Sequence, residues 1–333
     1  MKNMVEITKD RFEEIVQSFS GRRVAVIGDL MVDRYLWGTV RRISPEAPVP
    51  IVDIESETIA LGGAANVGNN LYNLSVVPVM IGVVGADSIG KVLIDIMENN
   101  QMPTEGVFQD VGRQTSEKTR IIAHDQHVVR ADRESRFDIN GDIQTDILKY
   151  LESIVDSVDA LILQDYNKGV LTKDVIRGSI DIANQHHKII AVDPKFANFF
   201  EYNNITLFKP NTREIEQALG IALNSDDSVI DVGSKLCDRI NCQHLLITRG
   251  EKGMILFDRE GQWDIVPTRA RRIHDVSGAG DTVISTMVSA LVGGADIREA
   301  ATLANQAAGV VCEEVGITPI TLAKLRKAMA RRD

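Results

Sequence analysis

The sequence predicts an α/β protein: a doubly wound, mainly parallel sheet with helices on both faces and a small inserted β-sheet lid. Three features carry that reading. From residue 142 onward, short apolar runs alternate with helical stretches over short links, the pattern of a parallel sheet covered on both sides. Polar residues cluster just after each apolar run, at the strand ends where such sheets bind ligands. Two ribbons of alternating apolar and polar residues, both carrying basic side chains, interrupt the first half of the chain.

Residues 9–19 read as a polar amphipathic helix. Val24-Ala25-Val26-Ile27 is a continuous apolar run ending in Gly28-Asp29, which suits a strand buried on both faces, with Asp29 and Asp33 just past its end. Residues 34–59 alternate but carry Pro45, Pro48 and Pro50, so they are expected at a sheet edge or in a flap. Leu61-Gly62-Gly63-Ala64-Ala65-Asn66 leads into a helix over 67–74, and 77–84 is a second buried strand. The stretch 85–91 nearly spells a P-loop, but Val92 stands where Ser or Thr would bind magnesium, so an ordinary helix start is expected. Residues 117–130 alternate again and carry Lys118, Arg120 and Arg130; the lid is expected from about 34–59 and 107–131. Then follow helix 142–155, strand 160–164, helix 172–184, strands 188–192 and 205–208, helices 211–219 and 227–240, and strand 245–248. A hairpin over 254–258 and 263–266 precedes the last helices, at 282–293, 297–314 and 321–330. One domain, 1–333, accounts for the whole pattern.

The chemistry centres on Asp275-Val276-Ser277-Gly278-Ala279-Gly280-Asp281, where a loop of small residues turns into an apolar helix. At such a junction the first backbone N–H groups lack intrahelical acceptors, and the helix dipole adds positive charge. Gly278, Ala279 and Gly280 leave that backbone bare enough for a phosphate to approach. Asp281, just inside the ring of donors, is placed to take a proton beside an anion. Phosphoryl transfer to a hydroxyl requires that combination. Polar groups follow four successive strands: Gln164-Asp165-Tyr166-Asn167-Lys168-Gly169, Asp193-Pro194-Lys195, Lys209-Pro210-Asn211-Thr212-Arg213-Glu214 and Thr248-Arg249-Gly250. Each alone is an ordinary turn; together they share one rim of the sheet, and point to an enzyme with a phosphorylated ligand.

Composition narrows the classes further. The formal net charge of −10 argues against nucleic acid as a partner. No apolar run is long enough to span a bilayer and residues 1–21 are too polar for a signal peptide, so neither a membrane partner nor export is expected, and the location expected is cytoplasmic. Cys237, Cys242 and Cys312 form no C-x-x-C pair, consistent with reduced thiols, and the six histidines show no metal-ligand spacing. A nicotinamide oxidoreductase would share the sheet, but G-x-G-x-x-G is missing after the first strand. A non-catalytic sugar sensor would be expected to lose Asp281 or its glycines.

These motifs resemble those of the ribokinase-like (phosphofructokinase-B type) sugar kinases. Gly62-Gly63-Ala64-Ala65-Asn66 is similar to that family's amino-terminal glycine motif, 211–214 to its N-x-x-E motif, and 275–281 to its D-x-x-G-A-G-D motif. The resemblance runs from about residue 21 to 321. Within the family, residues 28–35, 42–50, 165–169 and 193–195 resemble the bacterial heptose 7-phosphate kinase subgroup, with Asn167 where a small residue is usual and Ser277 where Thr is common. That resemblance implies ATP-dependent phosphorylation of D-glycero-D-manno-heptose 7-phosphate at O1, towards ADP-heptose and lipopolysaccharide core. Another sugar or sugar phosphate is the alternative acceptor. Many members carry a fused adenylyltransferase domain; that activity is expected here on another polypeptide.

The same resemblance implies the roles. Asp281 is the base, and the backbone of 277–280 holds the migrating phosphoryl. Asn211, Thr212, Arg213 and Glu214 face ATP, with Mg2+ near Asn211 and Glu214 through water. Thr248, Gly250, Lys195 and Asn305 complete the ATP side, and Asp33, Gly62, Gly63 and Asn66 the sugar side. The pool of cations for the substrate phosphate is Arg41, Arg42, Arg120, Arg130 and Lys195. Asp275 matches a position that binds a monovalent cation, K+ for instance, in some relatives. Exposed edges of the lid imply a homodimer clasped through it.

Overall fold

The structure is a computed structural model that describes residues 5–124, 126–268, 275–314 and 316–330; position 125, inside the expected lid, lies outside the described residues. In chain order the elements are α1 (Lys9–Gln17), β1 (Arg23–Gly28), β2 (Leu30–Ile43), β3 (Pro50–Gly63), α2 (Ala64–Asn73), β4 (Val77–Gly85), α3 (Ser88–Asn99) and β5 (Gly106–Asp110). Next come β6 (Ser116–Ala123), β7 (Gln126–Arg133), α4 (Gly141–Ile154), β8 (Ala160–Gln164), α5 (Lys173–Gln185), β9 (Ile189–Asp193) and β10 (Ile205–Phe208). The chain closes with α6 (Thr212–Leu219), α7 (Asp226–Ile240), β11 (Cys242–Thr248), β12 (Met254–Asp258), β13 (Trp263–Val266), α8 (Ala279–Val292), α9 (Ile297–Cys312) and α10 (Leu322–Ala330).

Nine strands form the large sheet in the order β13-β12-β11-β10-β9-β8-β1-β4-β5, parallel from β11 to β5 and antiparallel at the β12–β13 hairpin. Alternation along β1 shows how it is held. Val24 and Val26 pack into a core with α2, α8 and α9, while Ala25 and Ile27 pack into a second core with α4, α5, α6 and α7. All four are fully buried, which is why this strand reads as an unbroken apolar run. At the P-loop-like stretch, Asp87 caps α3 by accepting from the Gly90 N–H at 2.8 Å, an ordinary helix start.

The lid is a separate four-stranded sheet, β3-β2-β6-β7, with two antiparallel hairpins joined by a parallel β2–β6 pair. The proline ribbon was expected at an edge or in a flap, and it lies in this lid with β3 at an edge; β2, however, pairs on both sides. Pro45 and Pro48 fall in the turn and Pro50 begins β3, so no proline removes a donor from β2. The expected lid segment 107–131 begins too early. Residues 107–110 lie in β5, which pairs in parallel with β4 in the large sheet, and the lid strands begin at Ser116.

Strand register sorts the lid side chains by face. Asp132, Lys118, Asp33 and Ala60 lie across from one another, as do Arg130, Arg120, Tyr35 and Thr58. Lys118 packs over the Tyr166 ring of the main domain at 5.1 Å, so this face looks onto the strand ends.

Candidate active site

The first turn of α8 stands over the ends of β8 and β9 and carries Asp281, which is 3% exposed. Three donors converge on its carboxylate. Asn66 Nδ2 donates to Oδ2 at 2.8 Å, the Tyr166 hydroxyl to Oδ1 at 2.7 Å, and Gln164 Nε2 to Oδ1 at 3.2 Å. Burial pushes the carboxyl up to about 6, against the pull of the Asn66 and Tyr166 hydrogen bonds. Tyr166 is itself pushed well above its ordinary value by burial and by the nearby Asp281, so it stays a phenol and donates. The result is a desolvated carboxylate that can still ionise near neutral pH, as a general base requires.

Gly278 caps α8 in the left-handed region at φ 77°, and no side chain caps that helix. A Cβ there would also meet Asn66 Nδ2 at 2.9 Å, pushing the amide off Asp281. The cradle is narrower than expected. Ser277 N–H is spent on Asp275 Oδ1 at 2.8 Å and Ala279 N–H on the Val276 carbonyl at 3.2 Å, both closing the turn. Ala279 therefore contributes no amide, whereas Gly278 and Gly280 keep theirs without an acceptor among the described residues. A Cβ on Gly280 would lie 3.5 Å from Lys209 Nζ and 3.8 Å from Asp193 Oδ2. Lys209 is 2% exposed and paired with Asp193 at 3.0 Å, and Gln164 also donates to Asp193 at 3.0 Å. A buried ammonium beside the open amides suits a migrating phosphoryl group.

The residues after β10 adopt a capping box: Glu214 N–H donates to Asn211 Oδ1 at 2.9 Å and Asn211 N–H to Glu214 Oε2 at 2.8 Å. Lys195 pairs with the other Glu214 oxygen and lies 5.2 Å from the Tyr166 ring centre. Thr212 opens α6, and Arg213 is exposed on its first turn. Thr248 N–H bonds the Pro210 carbonyl at 3.0 Å, bringing the β11 end alongside. Beyond it lies a cavity of about 220 Å³ lined by Thr248, Gly250, Met254, Val283, Asn305 and Ala308. Asn305 donates to the Pro267 carbonyl at 2.7 Å, which turns its own carbonyl oxygen away from that bond. Asp275 accepts from Ser277 and from Gly316 N–H at 3.2 Å.

On the sugar side, Asp33 is 2% exposed and ion-paired with Arg120, whose guanidinium lies 5.3 Å from the Tyr35 ring centre. Gly62 is needed because a Cβ there would strike Asp33 Oδ2. Gly63 caps α2, and Asn66 follows within its first turn. The cation pool separates sharply. Arg41 and Arg42 are exposed near the far end of β2, roughly 25 Å along the strand from Asp33, and do not join the site. Arg130 is exposed and tied to Asp132 at 3.0 Å.

Three residues at the centre carried no role in the sequence reading, Gln164, Tyr166 and Lys209, and a fourth, Lys118, reaches it only through the Tyr166 ring. The first three stood in the strand-end clusters, and Tyr166 also in the 165–169 motif. Asp29 was placed just past the end of the first strand, with no further role. It accepts the N–H groups of Tyr166, Lys168 and Val170 at 2.8, 3.0 and 3.1 Å, and so shapes the loop that delivers Tyr166.

A proton acceptor beside open helix-terminal amides, with a cavity of about 220 Å³ on one side and polar lid residues on the other, suits a phosphotransferase acting on an alcohol. Comparison with known proteins agrees. Residues 22–323 match the family model described as pfkB family carbohydrate kinase, and the chain belongs to that family. It is an ATP-dependent carbohydrate kinase. Among curated relatives, the bifunctional protein HldE of Pelobacter propionicus is 40% identical over 318 residues, covering 96% of this chain and 65% of that protein. HldE of Geobacter sulfurreducens is 42% identical over 300 residues, covering 90% and 61%. The chain thus spans somewhat under two thirds of the length of these two relatives. Among solved structures, Escherichia coli phosphofructokinase-2 in complex with potassium superposes with a TM-score of 0.76 at 18% identity, covering 93% of this chain and 98% of that one. Arabidopsis thaliana ribokinase complexed with ribose and ATP gives 0.71 at 16% identity, covering 93% and 99%. At these identities the likeness is one of fold.

Proposed function

We propose that the chain transfers the γ-phosphoryl of ATP to O1 of D-glycero-D-manno-heptose 7-phosphate, giving the 1,7-bisphosphate on the way to ADP-heptose and lipopolysaccharide core. The supporting observation is 40% identity to HldE across 96% of this chain, joined to the heptose-kinase-like motifs at 28–35 and 42–50. Asp281 takes the proton of the anomeric hydroxyl as O1 bonds to the γ-phosphorus and the bond to the β,γ-bridging oxygen breaks, releasing ADP. The Gly278 and Gly280 amides and Lys209 steady the charge on the moving group. Asn305, Thr248 and Gly250 line the nucleotide side; Asp33 and Asn66 orient sugar hydroxyls.

Magnesium supplies charge neutralisation on the triphosphate. Both Glu214 oxygens and Asn211 Oδ1 are already hydrogen-bonded, and among the described residues no His, Cys, Asp and Glu cluster could cage an ion. That donor set suits an ion bound by phosphates and water, with Glu214 and Asn211 reached through its hydration shell. Asp275, with both oxygens in backbone contacts, is the position for a monovalent cation. Two lids clasp into a homodimer, because β7 is exposed throughout and leaves an unpaired edge. The enzyme works in the cytoplasm; among the described residues no helix is long and apolar enough to cross a membrane. The test is ATP-dependent ADP release from the purified protein with heptose 7-phosphate, fructose 6-phosphate, ribose and nucleosides. Turnover with heptose 7-phosphate no better than with the others refutes the substrate.

A further inference from the structure

The cations around Tyr166 are nearly all matched. Lys195 pairs with Glu214, Lys209 with Asp193 at 3.0 Å, Lys168 with Glu134 at 2.6 Å, and Arg120 with Asp33. Lys118 is the exception: half-buried on the site-facing side of β6, it has no carboxylate within ion-pair distance among the described residues. Among the described residues its close partner is the Tyr166 ring, at 5.1 Å, and the Tyr166 hydroxyl touches Asp281. The Lys118 ammonium therefore stands about one tyrosine ring from the base, on the lid side. Asp33, directly across from it on β2, is already claimed by Arg120, and Asp132, directly across on β7, by Arg130. That leaves this face with one positive charge more than its carboxylates cancel.

A charge taken partly out of water without a counter-ion is costly, and burial indeed lowers the Lys118 pKa against the opposing pull of Asp33. A neutral sugar would leave that cost standing, whereas a ligand carrying its own anion removes it. We infer that Lys118 is the specificity residue for the acceptor's existing phosphate, binding it from the lid while the reacting hydroxyl meets Asp281. This rests on the kinase reading above and names the residue that selects a phosphorylated acceptor; the remote guanidinium groups of Arg41 and Arg42 have no part in it.

The experiment compares wild type, Lys118→Met and Lys118→Arg on heptose 7-phosphate and on free heptose, with melting curves to show that each variant is folded. Lys118→Met should raise KM for the sugar phosphate about ten- to a hundredfold, the range for losing a hydrogen bond to a charged group. KM for ATP and for free heptose should stay within about twofold, and Lys118→Arg should recover part of the loss. Calorimetric titration of the sugar phosphate into each variant without ATP should show the same loss of affinity. An unchanged KM for the sugar phosphate, or an equal rise for both sugars, overturns the assignment. If wild type instead prefers fructose 6-phosphate, the heptose reading fails, and the comparison with free fructose supports or overturns Lys118 on that pair. A wild type that accepts only unphosphorylated sugars overturns it outright.

Discussion

Replacing Tyr166 with Phe removes one hydroxyl and should move the pH dependence of catalysis. That hydroxyl donates to Asp281 Oδ1 at 2.7 Å, leaving Asn66 at 2.8 Å and Gln164 at 3.2 Å as the remaining donors. Burial pushes the Asp281 carboxyl up to about 6, and the Tyr166 bond is one of three influences, with the Asn66 bond and the Lys209 charge, that keep it from rising further. A hydrogen bond to a charged group contributes about 1.5–3 kcal/mol, and one pH unit corresponds to about 1.4 kcal/mol, so its loss raises the carboxyl by about one to two pH units. The sign follows from which form is favoured. The donor stabilises the carboxylate, so removing it favours the acid, and the base needs a higher pH to ionise. The acid limb of kcat/KM should shift from near pH 6 to about pH 7–8, with activity at about pH 9 reduced much less than activity at about pH 6.5. The assay is coupled ADP release across that range at constant ionic strength. Sugar and nucleotide phosphates also titrate near pH 6, but identically for both enzymes, so the difference between profiles carries the test. A mutant whose limb stays put, or whose activity falls equally at every pH, would refute the claim that this phenol tunes the base.

Asp281→Asn should lower turnover roughly a hundredfold or more while ATP still binds, measured by single-turnover kinetics beside nucleotide titration; a loss of only a few-fold removes Asp281 as the base. At Gly280 an alanine Cβ meets Lys209 and Asp193 only at ordinary contact distance, so Gly280→Ala should remain active. The added methyls of Gly280→Val crowd that ion pair and the open amide, and transfer should fall about a hundredfold; equal rates for the two variants would show that the amide cradle is not used. If the lids clasp, the protein should have a dimer's mass by light scattering at micromolar concentration, and Val129→Lys on β7 should weaken it. A monomeric wild type defeats that interface.

The fold was legible because buried parallel strands announce themselves. Strands 160–164 and 205–208 were read to the residue, since an apolar run between polar turns has one reading. The misplacement of 107–110 has the opposite cause: β5 is a five-residue edge strand with mixed burial, and its short alternating pattern looks like lid. Of the site, the groups that depend on local chain chemistry were readable, namely the bare helix start at Gly278 and the carboxylate at Asp281. What the chain could not display was pairing across distance. Tyr166 and Asp281 are separated by 115 positions, and Asp33 and Arg120 by 87. Among the lid cations, sequence shows charge but not whether a carboxylate already neutralises it. Arg120 and Arg130 looked available and are engaged, while Lys118, on the same ribbon, is left without a counter-ion among the described residues. The register of β6 between β2 and β7 decides that difference, because it sets Lys118 opposite two carboxylates whose charge other residues have already taken. Selectivity in this site is therefore written in strand pairing, and a one-residue slip of β6 would turn Lys118 to the other face and leave its charge in solvent.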